Sequence, residues 1–191
     1  MAPRPGLTRA RIVAEAANVA DEAGLERLTL AAVAKRCEVS LPSLYKHIDS
    51  LDAVRRDLAV LAVQELTAAM AMAAAGLAGR DALHAVADAY RAFAAAHPGR
   101  AAAVLRAPAS GDAEHAAAGL ATVTVFASVL KGYGIQGKDT TDAIRSLRAV
   151  LHGFTSLEAA GGFGLPQSVD ATFTRLLDGL DTAFRHWSRA D

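Results

Sequence analysis

Thirty residues near the start of the chain, Gly24 to Ala53, constrain the fold more than any other stretch. They read as two short helices joined by a tight turn, with a longer helix starting behind them. Leu30, Val33, Cys37, Val39, Leu44 and Ile48 form an inward apolar set that locks the short helices at a steep angle. Thr29 is placed to cap a second helix running through Cys37, and Ser40 a short third one. Ser50 is placed to cap a fourth, with Asp52 in its first turn where the dipole favours negative charge. Pro42 is tolerated because it falls in the first turn of its helix. Leu41, Pro42, Ser43, Tyr45, Lys46 and His47 are then left outside. Exposed Leu41 and Pro42 have little structural reason to stand at a helix start, but they suit apolar contact with a thymine methyl. Tyr45, Lys46 and the N-terminal amides of the helix suit phosphates, which fix position without reading sequence. These residues predict a double-stranded DNA partner. A generic helical hairpin with a solvated face is the alternative reading of the same pattern.

The remaining patterns are also helical, and about nine helices are expected in an all-α fold with no strand and no repeat. Thr8 is placed to cap a first helix whose apolar face is Ile12, Ala16, Val19, Ala20 and Ala23, closed by Gly24 at the C′ position. Arg9 and Arg11 lie in its first turn, where positive charge opposes the macrodipole at a cost of about 0.3–1 kcal/mol each. A nearby DNA phosphate would reverse that penalty. The fourth helix is expected to reach about Ala75, and the fifth to run from Asp81 to His97. Pro98 opens a sixth ending near Pro108, and a seventh follows Gly111-Asp112 and stops at Gly132-Tyr133-Gly134. The eighth covers about Lys138 to Ala160. A glycine loop then precedes a ninth, capped by Ser168 and reaching Trp187.

Bulk properties narrow the class. At 191 residues the chain suits a small N-terminal unit, 1–53, fused to a larger one, 54–191. Hydrophobic residues make up 52% of it, which supports a packed core and argues against disorder. Twenty basic residues balance twenty acidic ones, and residues 1–50 carry seven basic and six acidic groups. DNA binding must therefore come from local placement of charge, with Arg4, Arg9 and Arg11 as the one basic cluster. A single cysteine, Cys37, excludes a disulfide framework within one chain and suits a reducing compartment. No apolar run approaches the ~20 residues of a membrane span, and Glu15, Asp21 and Glu22 interrupt any signal-peptide core. A soluble, cytoplasmic protein with no membrane partner is expected.

The run Thr8-Arg9, Ile12-Val13, Ala16-Ala17, Ala20 to Leu25, Leu28-Thr29-Leu30, Val33-Ala34, Val39-Ser40, Ser43-Leu44-Tyr45 and His47-Ile48 resembles the N-terminal domain of TetR-family transcriptional regulators. It covers residues 8 to 55, about a quarter of the chain, in order and spacing. Leu151-His152-Gly153-Phe154, with the glycine loop and last helix, is similar to a TetR subgroup known for a Trp-His-Gly motif, Leu151 standing where tryptophan is usual. The resemblance implies a homodimeric regulator, usually a repressor, released from a palindromic operator by a small molecule. It places Thr29 on phosphate, Leu41, Pro42 and Ser43 toward bases, and Tyr45, Lys46 and His47 at or near the backbone. Many members carry a phosphate-clamping lysine at the start of the fourth helix, and this chain has Leu51 there.

Two apolar stripes suit a dimer interface, Ile144, Leu147, Leu151 and Phe154 in the eighth helix and Phe173, Leu177, Leu180, Phe184 and Trp187 in the ninth. The same stripes would equally serve a monomer's core. Met70, Met72, Tyr90, Phe93, Leu105, Phe126, Leu130 and His152 are candidates to line an effector pocket, although such residues also make ordinary core. His152, flanked by Leu151 and Gly153, is expected to be the buried histidine. His84, His97, His115 and His152 lack metal-ligand spacing, and no P-loop, nucleophile elbow or carboxylate pair is present, so neither metal, cofactor nor enzyme is expected. Two rivals remain: a helical ligand-binding protein that has lost DNA recognition, and an all-α enzyme using His152 as a base.

Overall fold

The computed structural model describes residues 6–187, and among them there are nine α-helices, one 3₁₀ turn and no strand. Arg4 lies outside the described residues. The helices are α1 (Arg9–Ala23), α2 (Leu30–Arg36), α3 (Leu41–Leu44), α4 (Leu51–Ala74), α5 (Gly79–Ala96), α6 (Pro98–Ala103), α7 (Ala113–Lys131), α8 (Lys138–Ala159) and α9 (Val169–Arg185). Their starts follow from local chemistry. Thr8, Thr29 and Ser168 accept hydrogen bonds from Arg11, Ala32 and Ala171 amides, and Ser50 accepts from Ala53 at 3.0 Å. Such a cap contributes about 1 kcal/mol. The 3₁₀ turn, Leu25–Arg27, was not expected; it follows Gly24, whose φ of +92° suits glycine alone among common residues.

The chain divides into two compact units, one of residues 1–63 with 97–116 and one of residues 64–96 with 117–191. In the first, α6 seats on α1 by backbone contact. A Cβ at Gly99 would lie 2.1 Å from the Ala20 carbonyl carbon, so only glycine fits. Asp21 of α1 then caps α6 from outside: its carboxylate accepts from the Arg100 amide at 2.9 Å. The Arg100 guanidinium reaches Asn18 at 3.0 Å. Ile12, Ala16, Ala17 and Ala20 of α1 are fully buried, as is Leu44 of α3. Arg36, at the end of α2, donates to both Glu15 and Glu22 of α1.

The second unit is built on the stripes of α8 and α9. Ile144, Leu147, Leu151 and Phe154 are buried in it, and so are Phe173, Leu177 and Phe184. This corrects the expectation that these seven residues form a dimer face. A helix has one best apolar stripe, and here the protomer's own core takes it. Leu180 is half-buried, and Trp187 packs against Phe184 with ring centroids 5.5 Å apart. Arg91 of α5 lies over the rings of Phe154 and Phe173 while pairing with Glu158 and Asp170, tying α5, α8 and α9 together. Tyr133 donates to the buried Asp181 carboxylate at 2.8 Å, and burial together with that carboxylate raises the phenol well above its usual range.

Two helices, α4 and α7, are long and apolar enough by length and composition to cross a membrane. Neither contains an unbroken apolar run of ~20 residues, since Arg55, Arg56, Asp57 and Glu65 interrupt α4 and Glu114 and His115 open α7. In α4, Arg56 is held in an ion-pair network described below.

Candidate nucleic-acid interface

The candidate interface is assembled around α2 and α3. Val33, Cys37, Leu44 and Ile48 are buried, while Leu30 and Val39 are half-buried, so the predicted inward set does face inward. Burial raises the Cys37 thiol, which suits an inert packed side chain. The turn between α2 and α3 places Glu38 at φ +58°, a left-handed residue other than glycine, and the Val39 amide closes back onto the Ala34 carbonyl at 3.0 Å.

On the outer side, Leu41 is 39% exposed and Tyr45 54%, and Pro42, Lys46 and His47 are exposed with them. Ser43 is half-buried. The Ser40 hydroxyl bonds the Ser43 hydroxyl at 2.9 Å instead of capping a backbone amide, which corrects its expected capping role. Helix α3 is a single turn continued by turn residues through His47. Thr29 is exposed, with its oxygen accepting from Ala32, which leaves the hydroxyl proton to donate. Leu51 is half-buried, where a lysine would reach outward.

The first-turn arginines have partners within the protein. Arg9 donates to both Asp57 carboxylate oxygens, at 2.6 and 3.1 Å. Arg11 donates to the Cys37 carbonyl at 3.3 Å. The penalty of positive charge at this helix start is thus met by Asp57, and no phosphate is needed to explain it.

Asp57 belongs to a chain of charges that sequence reading missed. Arg56 of α4 donates to Asp57 at 3.0 Å, to Glu114 at 2.6 Å and to Asp112 through two nitrogens. Asp52 of α4 accepts both Arg106 nitrogens at 2.8 and 3.0 Å. The first turns of α4 are thereby joined to α1, to the segment after α6 and to the start of α7. Arg56, then the His115 amide, hold the Asp112 carboxyl far below its ordinary range. A depressed carboxyl contributes stability above its unfolded value of about 3.9 and loses it as pH falls through the folded value. The stability gap between wild type and Arg56→Gln is therefore expected to be full at neutral pH and to shrink below about pH 4. Urea titrations at stepped pH measure it, and a gap constant down to strong acid would exclude this origin.

The candidate pocket residues separate. Met70, Tyr90, Phe93, Phe126 and Leu130 are buried in the second unit, and burial raises the Tyr90 phenol. Met72 is 80% exposed, which removes it from any lining. Leu105 belongs to the first unit and is 49% exposed, because α6 ends at Ala103 and releases the chain outward. His152 is half-buried and lies 3.2 Å from the Ser156 hydroxyl one turn on. The buried histidine is His115, 2% exposed, whose Nδ1 has no hydrogen-bond partner. Among the described residues no three His, Cys, Asp or Glu side chains gather in a way that would hold a metal.

Residues 12–58 match the model for bacterial regulatory proteins of the tetR family, and residues 83–180 match the tetracyclin repressor-like C-terminal domain. The chain is 34% identical to the uncharacterised HTH-type transcriptional regulator Rv0681 of Mycobacterium tuberculosis, over 96% of this chain and 86% of that protein. Its fold is similar to a protein of unknown function from Rhodococcus sp. RHA1, with a TM-score of 0.78 and 26% identity over 94% of this chain and 96% of that one. It is also similar in fold to BioQ, solved with its double-stranded DNA operator, with a TM-score of 0.65 and 22% identity over 92% and 99% of the two chains.

Proposed function

The chain belongs to the TetR family of bacterial transcriptional regulators, and on that premise we propose that it is a cytoplasmic repressor binding a palindromic operator as a homodimer. Residues 1–53 are the reading domain and 54–191 the ligand-binding and dimerisation domain. The observation that carries this reading is the exposed face of Leu41, Pro42, Tyr45, Lys46 and His47 beside half-buried Ser43, on a packed helix-turn-helix. Leu41, Pro42 and Ser43 read bases, with Ser40 holding Ser43 in place. Tyr45, Lys46, His47 and Thr29 take phosphates, helped by Arg9 and Arg11 at the flank. Near-zero net charge makes the affinity depend on these few placed contacts.

Dimerisation uses the outer faces of α8 and α9, since their apolar stripes are spent inside the protomer. In α9 that face carries half-buried Leu176 and Leu180 with exposed Gly179 and Ala183. In α8 it carries Ala149, half-buried His152 and 53%-exposed Leu157. Small residues let two helices approach closely, and two such pairs make a four-helix bundle about a two-fold axis. Gly179→Arg is expected to convert dimer to monomer in sedimentation velocity. An unchanged dimer would place the interface elsewhere.

A small-molecule effector shifts the spacing of the two heads by favouring the state that does not fit the operator. Met70, Tyr90, Phe93, Phe126 and Leu130, with His152, supply its surroundings in the second unit. Within that unit, the Leu151-His152-Gly153 segment supports reading the chain as a relative of the Trp-His-Gly subgroup, with Leu151 standing where tryptophan is usual.

The test is fluorescence anisotropy with the gene's own upstream DNA against a scrambled duplex, at about 50 and 200 mM salt. Ligand-free protein is expected to prefer the upstream DNA and to weaken steeply with salt. Equal, weak binding to both duplexes would instead support a ligand-binding protein without DNA recognition, the reading that Leu51 and the neutral charge favour.

A further inference from the structure

Helix α4 starts at Leu51, a short turn past His47, so its first turns flank the exposed face proposed to meet DNA. Asp57, in the second turn of α4, holds the guanidinium of Arg9 from the first turn of α1. Arg9 donates through Nε at 2.6 Å and Nη2 at 3.1 Å, one bond to each carboxylate oxygen. The two partners differ in access: the Arg9 side chain is 54% exposed and that of Asp57 11%. Arg56 donates to the same carboxylate at 3.0 Å and is itself held by Asp112 and Glu114. Asp57 therefore keeps a cation when Arg9 leaves it. Asp49, before α4, adds negative charge toward Arg9, and Arg56 opposes it.

The grip of Asp57 uses one edge of the Arg9 guanidinium and leaves donors to spare on a half-exposed side chain. A phosphate seeks the same planar set of donors as a carboxylate. DNA and Asp57 are therefore rivals for one group. The carboxylate has two advantages: it belongs to the same chain, and it stands where water screens it little. While Asp57 holds Arg9, the pair brings no net charge to the backbone. Backbone binding is driven by the counterions that net positive charge displaces, so each head is held one charge short.

We propose that Asp57 is a positioning residue that withholds Arg9 from the DNA backbone and so limits the sequence-independent part of the affinity. The proposal rests on the regulator reading. The withheld contact is to phosphate, so releasing it raises affinity for operator and random duplex alike. In a chain with twenty basic and twenty acidic residues, this restraint keeps ligand-free protein from settling on DNA that is not its operator.

Fluorescence anisotropy with the full chain, on the gene's upstream duplex and a scrambled one at about 50 to 200 mM salt, reads the effect. Asp57→Asn removes the charge while keeping the shape and an acceptor for Arg56. It is expected to tighten binding to both duplexes about tenfold at the lower salt and to steepen the slope of log affinity against log salt by about 1.8, about 0.9 from each head. In an Arg9→Gln background the same substitution is expected to gain less than about twofold, which separates release of Arg9 from simple loss of a negative charge. An equal gain in both backgrounds would overturn the proposal. Unchanged or weaker binding by Asp57→Asn would overturn it as well, and would make Asp57 a support for Arg9. If Asp57→Asn does not fold, Arg9→Gln alone decides. A loss under about threefold is expected, and a loss of tenfold or more would show Arg9 already on the backbone. Lys46→Ala tells the two levels apart: a strong loss there beside no effect of Asp57→Asn would leave the regulator reading standing and remove only this proposal. Absence of salt-sensitive binding by every form would remove both.

Discussion

Gly99→Ala is expected to cost about 3 kcal/mol or more of folding stability and to lower the melting temperature by roughly 6–12 °C. The added Cβ would stand 2.1 Å from the Ala20 carbonyl carbon and 2.2 Å from its oxygen. Both atoms belong to the backbone of α1, which cannot rotate away as a side chain would. The helices must part, and the contacts that depend on their approach go with them. The Asp21 carboxylate leaves the Arg100 amide, and the Arg100 guanidinium leaves Asn18. A glycine with open space provides the control. Gly119, inside α7, has nothing within 4 Å of its missing Cβ, so Gly119→Ala is expected to stabilise by about 0.5–1 kcal/mol through backbone entropy. Urea denaturation followed by circular dichroism measures both. Opposite signs are expected from the same chemical change, and an unaltered midpoint for Gly99→Ala would mean that α6 does not seat on α1.

Gly99 also marks where sequence reading stops. The local signals at that point were clear: Pro98 opens a helix, and α6 begins at Pro98. The need for glycine one residue later comes from a helix some eighty residues earlier, and no local pattern carries it. The same division recurs along the chain. Thr8, Thr29, Ser50 and Ser168 were legible as caps because a cap bonds an amide within its own first turn. Ser40 failed as a cap because Ser43 offered its hydroxyl a competing partner. The stripes of α8 and α9 were visible in their spacing, but periodicity reports only that an apolar face is covered. It does not say whether the cover is the protomer or a second copy, and Phe173, Leu177 and Phe184 turned out to be core. His152 looked buried from its neighbours Leu151 and Gly153, yet the rotation of α8 leaves it half-exposed beside Ser156. His115, among alanines, was weighed only for metal-ligand spacing, and it is the one enclosed. Arg56 and its carboxylates were out of reach altogether, since Asp112 lies 56 residues away. The exposed face around α3 was legible because the inward set was, and its residues are what that set leaves over.

Lys46→Ala is expected to weaken operator binding about 100-fold, with a loss that is nearly equal on every DNA sequence. A charge-assisted hydrogen bond to phosphate contributes about 1.5 kcal/mol or more, and a dimer on a palindrome makes the contact twice. The doubled loss of about 3 kcal/mol is two factors of ten in affinity. Salt dependence carries the sharper signature. Each phosphate contact contributes about 0.9 to the slope of log affinity against log salt, so the substitution should reduce that slope by about 1.8. Lys46 is exposed, so the fold should be unaffected, and an unchanged melting curve shows that the loss is in binding. Leu41→Ala should behave differently: its side chain leaves the base edges, the slope stays as it was, and preference for the operator over a single-base variant falls. The size of the Lys46 effect also reports on assembly. A slope change near 0.9 would mean that one head engages the DNA at a time, and relaxed specificity at one base pair would move Lys46 from phosphate to base. A change near 1.8 with uniform weakening requires both heads on the duplex together, each held by a lysine on the turn that follows the buried Leu44.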